Sequence, residues 1–298
     1  FIASDQSYTA LRDQVGNQLV AIREAKRLQI EDYFERIQGQ IATMSQSPGV
    51  HDAMMAFGST YTALGELGTE DAQQSVVGYY HEQFAAQYET LNPDSKLDPA
   101  PLHQSLDPLA IAMQQLYIAS NSYPLGSKHL LDQQQDGSDY SKVHRQFHPY
   151  FRAYLERFGY YDIFIADADS GRIIYSVFKE LDYGTSLKNG PYANTGIGEA
   201  FKGAIGIENG LFYQTDFAPY RPSYDSLASF VSSPIYVDGR QAGVLIFQMP
   251  LDKIAAVMTS NESWSQVGLG SSGETYLVGG DKTLRNSSRF QIEDMDGY

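Results

Sequence analysis

Residues 158–179 read FGYYDIFIADADSGRIIYSVFK, and this stretch decides the fold of the chain. Two runs rich in β-branched and aromatic residues, 161–166 and 172–178, flank the turn sequence Asp167-Ala-Asp-Ser-Gly171. Such runs around a turn that contains Asp and Gly are typical of a β-hairpin. The sequence therefore predicts that a sheet begins soon after Gly159.

A second pair of strand-like runs follows at 228–236 and 241–248, around the turn 237–240. A short helix at 198–204 and a strand at 211–215 are predicted between the two hairpins. Strands joined mainly by hairpins form antiparallel sheets, so we expect an α+β fold with helices against one face of the sheet.

The region before the sheet is helical in character from Pro48 onwards. Its clearest helix has Ser138 as a predicted N-cap and Gly159 as a left-handed stop, and Pro149 inside it is expected to cause a kink. One face of this helix is aromatic and apolar, with Tyr140, Val143, Phe147, Phe151, Tyr154 and Phe158.

Residues 4–47 predict one long helix that precedes this layer. Apolar residues recur every three or four positions: Leu11, Val15, Leu19, Ile22, Ile30, Phe34, Ile37, Ile41 and Met44. About forty residues at ~1.5 Å each reach roughly 60 Å, which is more than a compact domain of this size needs. The stripe either pairs with a helix of a second copy or packs on its own domain, and dimerisation is our sharper hypothesis.

The composition excludes several classes of partner and site. A net charge of −15 argues against a nucleic-acid or anionic lipid partner, because both would be repelled. The chain contains no cysteine, which excludes disulfides and thiolate chemistry. No run of about 18 apolar residues occurs. The chain begins at Phe1 and stops soon after a strand-like run, so we expect a piece of a longer protein.

Several sequence segments, taken together with their order along the chain, resemble the double Cache family of extended PAS-like sensor domains. They are residues 158–167 with Gly171 and 175–179, the pair Ser233-Pro234 with Gly243-Val-Leu245, and Gly270-Ser-Ser-Gly-Glu-Thr-Tyr-Leu-Val278, all after a long N-terminal helix. The resemblance spans most of the chain. It implies the periplasmic, ligand-sensing part of an inner-membrane receptor that is not itself an enzyme. The implied parent is a histidine kinase or a chemoreceptor, with a membrane-bound cyclase as a third possibility.

The resemblance also implies a division of the chain. Residues 1–47 would form a stalk and homodimerisation helix, and 48–258 a membrane-distal sensor domain. That domain comprises a helical layer 48–158, a sheet 159–249 and a linking helix 250–258 that Pro250 opens. Residues 259–298 would begin a membrane-proximal PAS-like domain, whose first hairpin is predicted at 274–278 and 283–284.

Polar and aromatic residues between the second and fourth predicted strands are our candidates for a ligand site. In a PAS-like sheet these segments wall a cavity, and tyrosines with a few charged groups suit a small polar ligand. The candidate ligand-binding residues are Asp216, Tyr213, Tyr220, Lys179, Asp182, Tyr183, Tyr192 and Ser232. The alternative is ordinary packing of these tyrosines, with Lys179 paired to a neighbouring carboxylate.

No catalytic, cofactor or metal motif is predicted. Gly268-Leu-Gly-Ser-Ser-Gly273 matches the glycine spacing of a dinucleotide-binding loop, but it precedes a predicted strand, whereas a dinucleotide-binding loop precedes a helix. His144 and His148 stand one helical turn apart without a third ligand nearby in sequence. The rival to a sensor is a structural or adhesive module that binds no small molecule, and a hydrolase using Asp and His would need an acid–base pair that no spacing suggests.

Overall fold

The computed structural model describes residues 2–249 and 251–294, and it divides the chain into two compact units. One unit comprises residues 1–37 and 250–298, and the other comprises Gln38–Met249. Residue 1, residue 250 and residues 295–298 lie outside the described residues, so the predicted role of Pro250 and the end of the predicted range 259–298 fall there as well.

The long N-terminal helix is confirmed. Helix α1 runs from Ile2 to Ser45, which corresponds to roughly 66 Å at ~1.5 Å per residue. Its apolar stripe has two parts: Ile30, Ile37, Ile41 and Met44 are buried, whereas Leu11, Val15 and Leu19 are exposed.

A helical layer follows within the Gln38–Met249 unit. It comprises α2 (Pro48–Thr60), α3 (Glu70–Tyr79), α4 (Ala85–Leu91), α5 (Ala100–Gln104), α6 (Pro108–Gln114) and α7 (Asp139–Phe158). A π-helical turn joins α3 to α4, and another follows α6. Short 3-10 helices occupy 61–67 and 128–130. The predicted ends of α7 are confirmed, because the Ser138 side chain accepts from the Ser141 amide and Gly159 is left-handed at φ 72°.

The sheet consists of β1 (Asp162–Asp167), β2 (Ile173–Ser176), β3 (Tyr213–Gln214), β5 (Ser226–Val237) and β6 (Arg240–Met249), in the spatial order β2-β1-β6-β5-β3. All of its pairs are antiparallel, and β4 (Ala218–Tyr220) pairs with β5 off this path. Helix α8 (Gly196–Ala204) lies between β2 and β3 in sequence. The predicted α+β class is therefore confirmed.

Both faces of the sheet are covered by other parts of the protein. The sequence predicted helices on one face of the sheet. Five consecutive residues at the start of β1 are buried, as are the last seven of β6. Successive side chains of a strand point to opposite faces, so burial without alternation requires cover on both. Helix α2 comes close enough that a Cβ on Gly243 would meet the Met54 sulfur at 2.3 Å.

In the other unit, α9 (Leu251–Thr259) and α10 (Arg289–Glu293) accompany residues 1–37. The hairpin predicted at 274–284 is present as a single bridge between Val278 and Leu284. Within the described ranges, no helix is both long and apolar enough to cross a bilayer.

Candidate functional site

The segment after β2 is a loop that lies inside the protein. Every residue from 179 to 187 is buried, which is unusual because loops normally keep their peptide groups in water. Gln114 of α6 compensates, since its amide donates to the carbonyl oxygens of Leu181 (2.8 Å) and Tyr183 (3.0 Å). Tyr80 in turn donates to Gln114 Oε1 at 2.9 Å, which fixes the amide orientation. The helical layer therefore holds this loop in place.

Lys179 begins the loop in a strained conformation. Its φ of 62° lies in the left-handed region, which costs a residue with a Cβ of order 1 kcal/mol. The side chain is 1% exposed, and Nζ donates to the Val177 carbonyl at 3.1 Å. The ammonium also lies over the rings of Tyr117 (5.7 Å) and Tyr175 (5.9 Å). Burial lowers the pKa of Lys179 to about 7, against the opposing effect of the Asp162 carboxylate.

Asp182 is fully buried and only partly paired. Its Oδ2 accepts from the Tyr220 hydroxyl at 2.5 Å, while Oδ1 has no hydrogen-bond partner among the described residues. Burial first, and then the nearby Asp162, raise the pKa of Asp182 to about 7. The backbone amides of Asp182 and Tyr183 act against this rise and lower the pKa of the Asp182 carboxyl. The Tyr192 hydroxyl is likewise buried and has no hydrogen-bond partner among residues 2–249 and 251–294, and its ring lies 5.9 Å from that of Tyr220. Two buried polar atoms here thus lack a full set of hydrogen bonds among the described residues.

The side chains of Tyr183 and Glu180 both form hydrogen bonds with other residues. Tyr140 donates to the Ile174 carbonyl at 2.7 Å, so the 2.5 Å contact between the two hydroxyls is a bond donated by Tyr183. Glu180 accepts from Tyr161 (2.7 Å) and Ser223 (3.0 Å). Burial first, and then Asp182, raise the pKa of Glu180 well above its usual range.

A cavity of about 120 Å³ opens beside the start of this loop. Its polar lining includes Lys128, Lys179 and Glu180, and its walls are largely aromatic: Tyr79, Phe84, Tyr161, Phe178 and Tyr224. At ~30 Å³ per water in the liquid, this volume corresponds to roughly four waters. The cavity therefore has the size of a small metabolite or of part of a larger one.

The structure brings together five of the eight predicted site residues. Lys179, Asp182 and Tyr183 belong to the buried loop, Tyr192 follows it, and Tyr220 bonds to Asp182. The other three lie elsewhere around β3 and β5. Asp216 is exposed, Tyr213 donates to Glu199 of α8 at 2.8 Å, and Ser232 donates to the Ala200 carbonyl at 2.7 Å. Of the eight predicted residues, Lys179 alone is among those that line the cavity in the described part of the chain.

The two histidines of α7 stack on each other in the core. The His144 and His148 ring centroids are 4.3 Å apart, and both side chains are fully buried. Across the described ranges, no three His, Asp or Glu side chains are grouped to hold a metal ion. The Asp167 carboxylate accepts from the Ser170 amide (2.7 Å) and hydroxyl (2.6 Å), which is the local bonding of a hairpin turn.

No family model matches the chain, and neither does any curated protein. Several solved structures resemble it loosely. The sensor domain of the V. cholerae histidine kinase DctB is 16% identical, with 59% of this chain and 60% of that chain covered and a TM-score of 0.31. This chain therefore spans less than two thirds of that domain.

The sensory domain of the Campylobacter jejuni chemoreceptor Tlp3 in complex with 4-methylisoleucine is 11% identical, with 81% and 74% covered and a TM-score of 0.35. The ligand-binding domain of the Pseudomonas aeruginosa amino-acid chemoreceptor PctC, in complex with GABA, is 15% identical, with 76% and 73% covered and a TM-score of 0.31. At these TM-scores no function passes to the chain by similarity. These three solved structures are the sensor domain of a histidine kinase and the ligand-binding domains of two chemoreceptors.

Proposed function

We propose that the chain is the extracytoplasmic ligand-sensing part of a transmembrane signalling receptor and that it is not an enzyme. The parent would be a sensor histidine kinase or a chemoreceptor in the inner membrane. The double Cache-like segments of the sequence support this proposal, as does the position of residues 158–179 and 233–245 in an α+β unit that includes the end of a long helix.

One observation carries the proposal: a strained, buried loop with incompletely paired polar atoms lies beside a cavity. Lys179 is held at φ 62°, and Asp182 Oδ1 and the Tyr192 hydroxyl are buried without partners in the part of the chain that the structure describes. Buried polar atoms are nearly always hydrogen-bonded, so an exception needs an explanation such as an absent partner. Strained backbone, for its part, clusters at functional sites. A small polar molecule that enters this region would supply the missing bonds.

The proposed ligand contacts are Lys179, Asp182, Tyr183, Tyr192 and Tyr220. Asp216, Tyr213 and Ser232 complete the candidate set from the sequence, and alanine variants of these three test whether the ligand reaches the β3 side of the sheet.

Helix α1 is the proposed transmitter and the proposed homodimer contact of the receptor. Within the Gln38–Met249 unit, Ser45 at the end of α1 contacts Ser233 of β5, with their hydroxyl oxygens 2.9 Å apart. Through this contact, a structural change in the sheet would directly affect the position of the end of α1. The ligand acts only through its different affinities for the two arrangements of the receptor.

A thermal-shift screen of small polar metabolites tests the function. A ligand that binds only the folded state stabilises it by about 2.7 kcal/mol at a hundredfold excess over its dissociation constant. We expect a hit whose effect is lost in Asp182→Asn and retained in Asp139→Asn, a matched change at an exposed carboxylate of α7. A broad screen without a hit would instead favour a structural or adhesive module, and conversion of any compound would favour an enzyme.

A further inference from the structure

Two buried lysines line the cavity, and both have unused hydrogen-bonding capacity. The side chains of Lys128 and Lys179 are 4% and 1% exposed. Within residues 2–249 and 251–294, Lys128 Nζ donates only to the Asn121 carbonyl (2.8 Å), and Lys179 Nζ donates only to the Val177 carbonyl (3.1 Å). An ammonium group has three donors, so each group has two that no oxygen of the described residues accepts. Lys128 Nζ also lies over the ring of Tyr79 (5.9 Å), as Lys179 Nζ lies over those of Tyr117 and Tyr175.

The carboxylates around the cavity do not neutralise these lysines. Neither Lys128 nor Lys179 forms an ion pair with any described residue. Glu180, which also lines the cavity, already accepts from Tyr161 and Ser223, and burial raises its pKa.

The charge of the Asp162 carboxylate raises the pKa of Lys179, but the hydrogen bonds of this carboxylate go to other groups. It accepts from the amides of Ile163 (2.6 Å), Val177 (2.9 Å) and Phe178 (2.9 Å) and from the Ser176 hydroxyl (2.7 Å). A buried ammonium without a hydrogen-bonded anion is costly, and this cost lowers the pKa of Lys179 to about 7. An anionic guest beside the two lysines would favour their protonated forms.

The remaining walls of the cavity are flat and apolar. The aromatic rings around the roughly four-water volume come from the helical layer (Tyr79, Phe84), from just before β1 (Tyr161), from just after β2 (Phe178) and from the turn before β5 (Tyr224). Such walls suit the hydrocarbon part of a small molecule better than a second charged group.

From this geometry we propose that the cavity binds a small anion with an apolar body, such as a short-chain carboxylate, whose oxygen atoms accept from Lys128 and Lys179. The inference rests on the proposed sensor function and deepens it by naming the class of ligand. The anion supplies the acceptors that both ammonium groups lack, and its body lies against the aromatic walls.

A charge series tests this inference on the whole 298-residue chain. Acetate, propionate and butyrate are each compared with the amide and the primary amine of the same length, by thermal shift and calorimetry at constant ionic strength near neutral pH. We expect stabilisation by at least one carboxylate and none by its amide or amine. Lys179→Met and Lys128→Met should each weaken the binding about tenfold or more, because each removes a charged hydrogen bond. Lys142→Met, on an exposed face of α7, should leave it unchanged.

The outcomes separate this inference from the proposed function. An amide or amine that stabilises the protein as well as its acid would overturn the anion site. Binding of a carboxylate that both methionine variants retain would overturn it too. If other metabolites bind while no carboxylate does, the sensor function stands and this inference is wrong. If nothing of any charge binds, both fail.

Discussion

At the scale of single residues, the stacked histidines of α7 are held neutral by their surroundings. His148 Nε2 lies 2.6 Å from the His129 carbonyl and therefore carries the proton, while its Nδ1 accepts from the Tyr175 hydroxyl at 2.7 Å. His144 Nδ1 donates to the Asp132 carbonyl at 2.7 Å, and its Nε2 is buried without a partner among the described residues. Burial first, and then Lys179, lower the pKa of both imidazoles well below the usual range.

His144 should make the protein acid-sensitive. Its folded pKa is lower than the unfolded value of about 6.5, so the unfolded state takes up a proton first as the pH falls. Stability is therefore retained above about pH 6.5 and lost below it, by up to ~1.4 kcal/mol per pH unit. His144→Asn keeps a donor near the Asp132 carbonyl but does not titrate. Urea unfolding between about pH 7.5 and 5 should show a shallower loss of stability in the variant, and parallel curves for the two proteins would contradict this account.

Lys179→Met should stabilise the ligand-free protein. The folded pKa of about 7 lies below the unfolded value of about 10.4, so the lysine costs stability progressively as the pH falls from about 10 to about 7. The methionine fills the same space without a charge, and replacement of poorly compensated buried charges by apolar groups can add ~1–4 kcal/mol. Chemical denaturation should show an advantage for the variant that grows from pH 10 to pH 7. A variant less stable than the parent at pH 7 would show that the ammonium is well compensated.

Only part of the candidate site could be predicted from the sequence. Lys179, Asp182 and Tyr183 follow a strand end, and this local signal suffices to propose them. The role of Lys128 could not be predicted, because it depends on a 3-10 turn some fifty residues upstream that packs against the same cavity. The unpaired state of Asp182 Oδ1 depends likewise on where Tyr220 and Tyr192 fold, and no local pattern contains that information.

At the scale of elements, two glycines should respond oppositely to alanine. Gly159 ends α7 at φ 72°, where a Cβ is strained, so Gly159→Ala should lower the free energy of unfolding by ~1–2 kcal/mol. Gly78 lies inside α3, and a Cβ there would meet nothing within 4 Å, so Gly78→Ala should raise it by up to ~1 kcal/mol. Thermal or urea unfolding measures both. Equal signs for the two variants would mean that the end of α7 is misplaced.

The strands and helices that the sequence predicted well are those with local signals. The turns at 167–171 and 237–240 and the caps of α7 each depend on a few neighbouring residues. Strand β4 was missed, because it has only three residues with Pro219 in the middle and exists through pairing with β5. The cover on the second face of the sheet was also missed, since it depends on non-local packing.

At the scale of the whole molecule, α1 belongs to both units, with residues 2–37 in one and 38–45 in the other. Its first half exposes apolar side chains: Leu11 is 60% exposed, and Val15 and Leu19 are 47% and 48% exposed. A stripe of this spacing on a long helix is typical of helix pairing. We therefore expect the chain to self-associate through α1.

Sedimentation velocity tests this expectation. The parent chain should sediment as a dimer at tens of micromolar, and Leu11→Glu with Leu19→Glu should shift it to the monomer. Met55→Glu changes an equally exposed apolar side chain of α2 and should have no effect. A parent that stays monomeric, or a dimer that the α1 variant retains, would place the contact elsewhere.

A crystal structure of the chain grown with the strongest compound from the screen tests the proposed ligand site most directly. We expect electron density for that compound in the cavity beside residues 179–182, within hydrogen-bonding distance of Lys179 or Asp182. A cavity that contains only the protein's own side chains, with the compound bound at another surface, would contradict it.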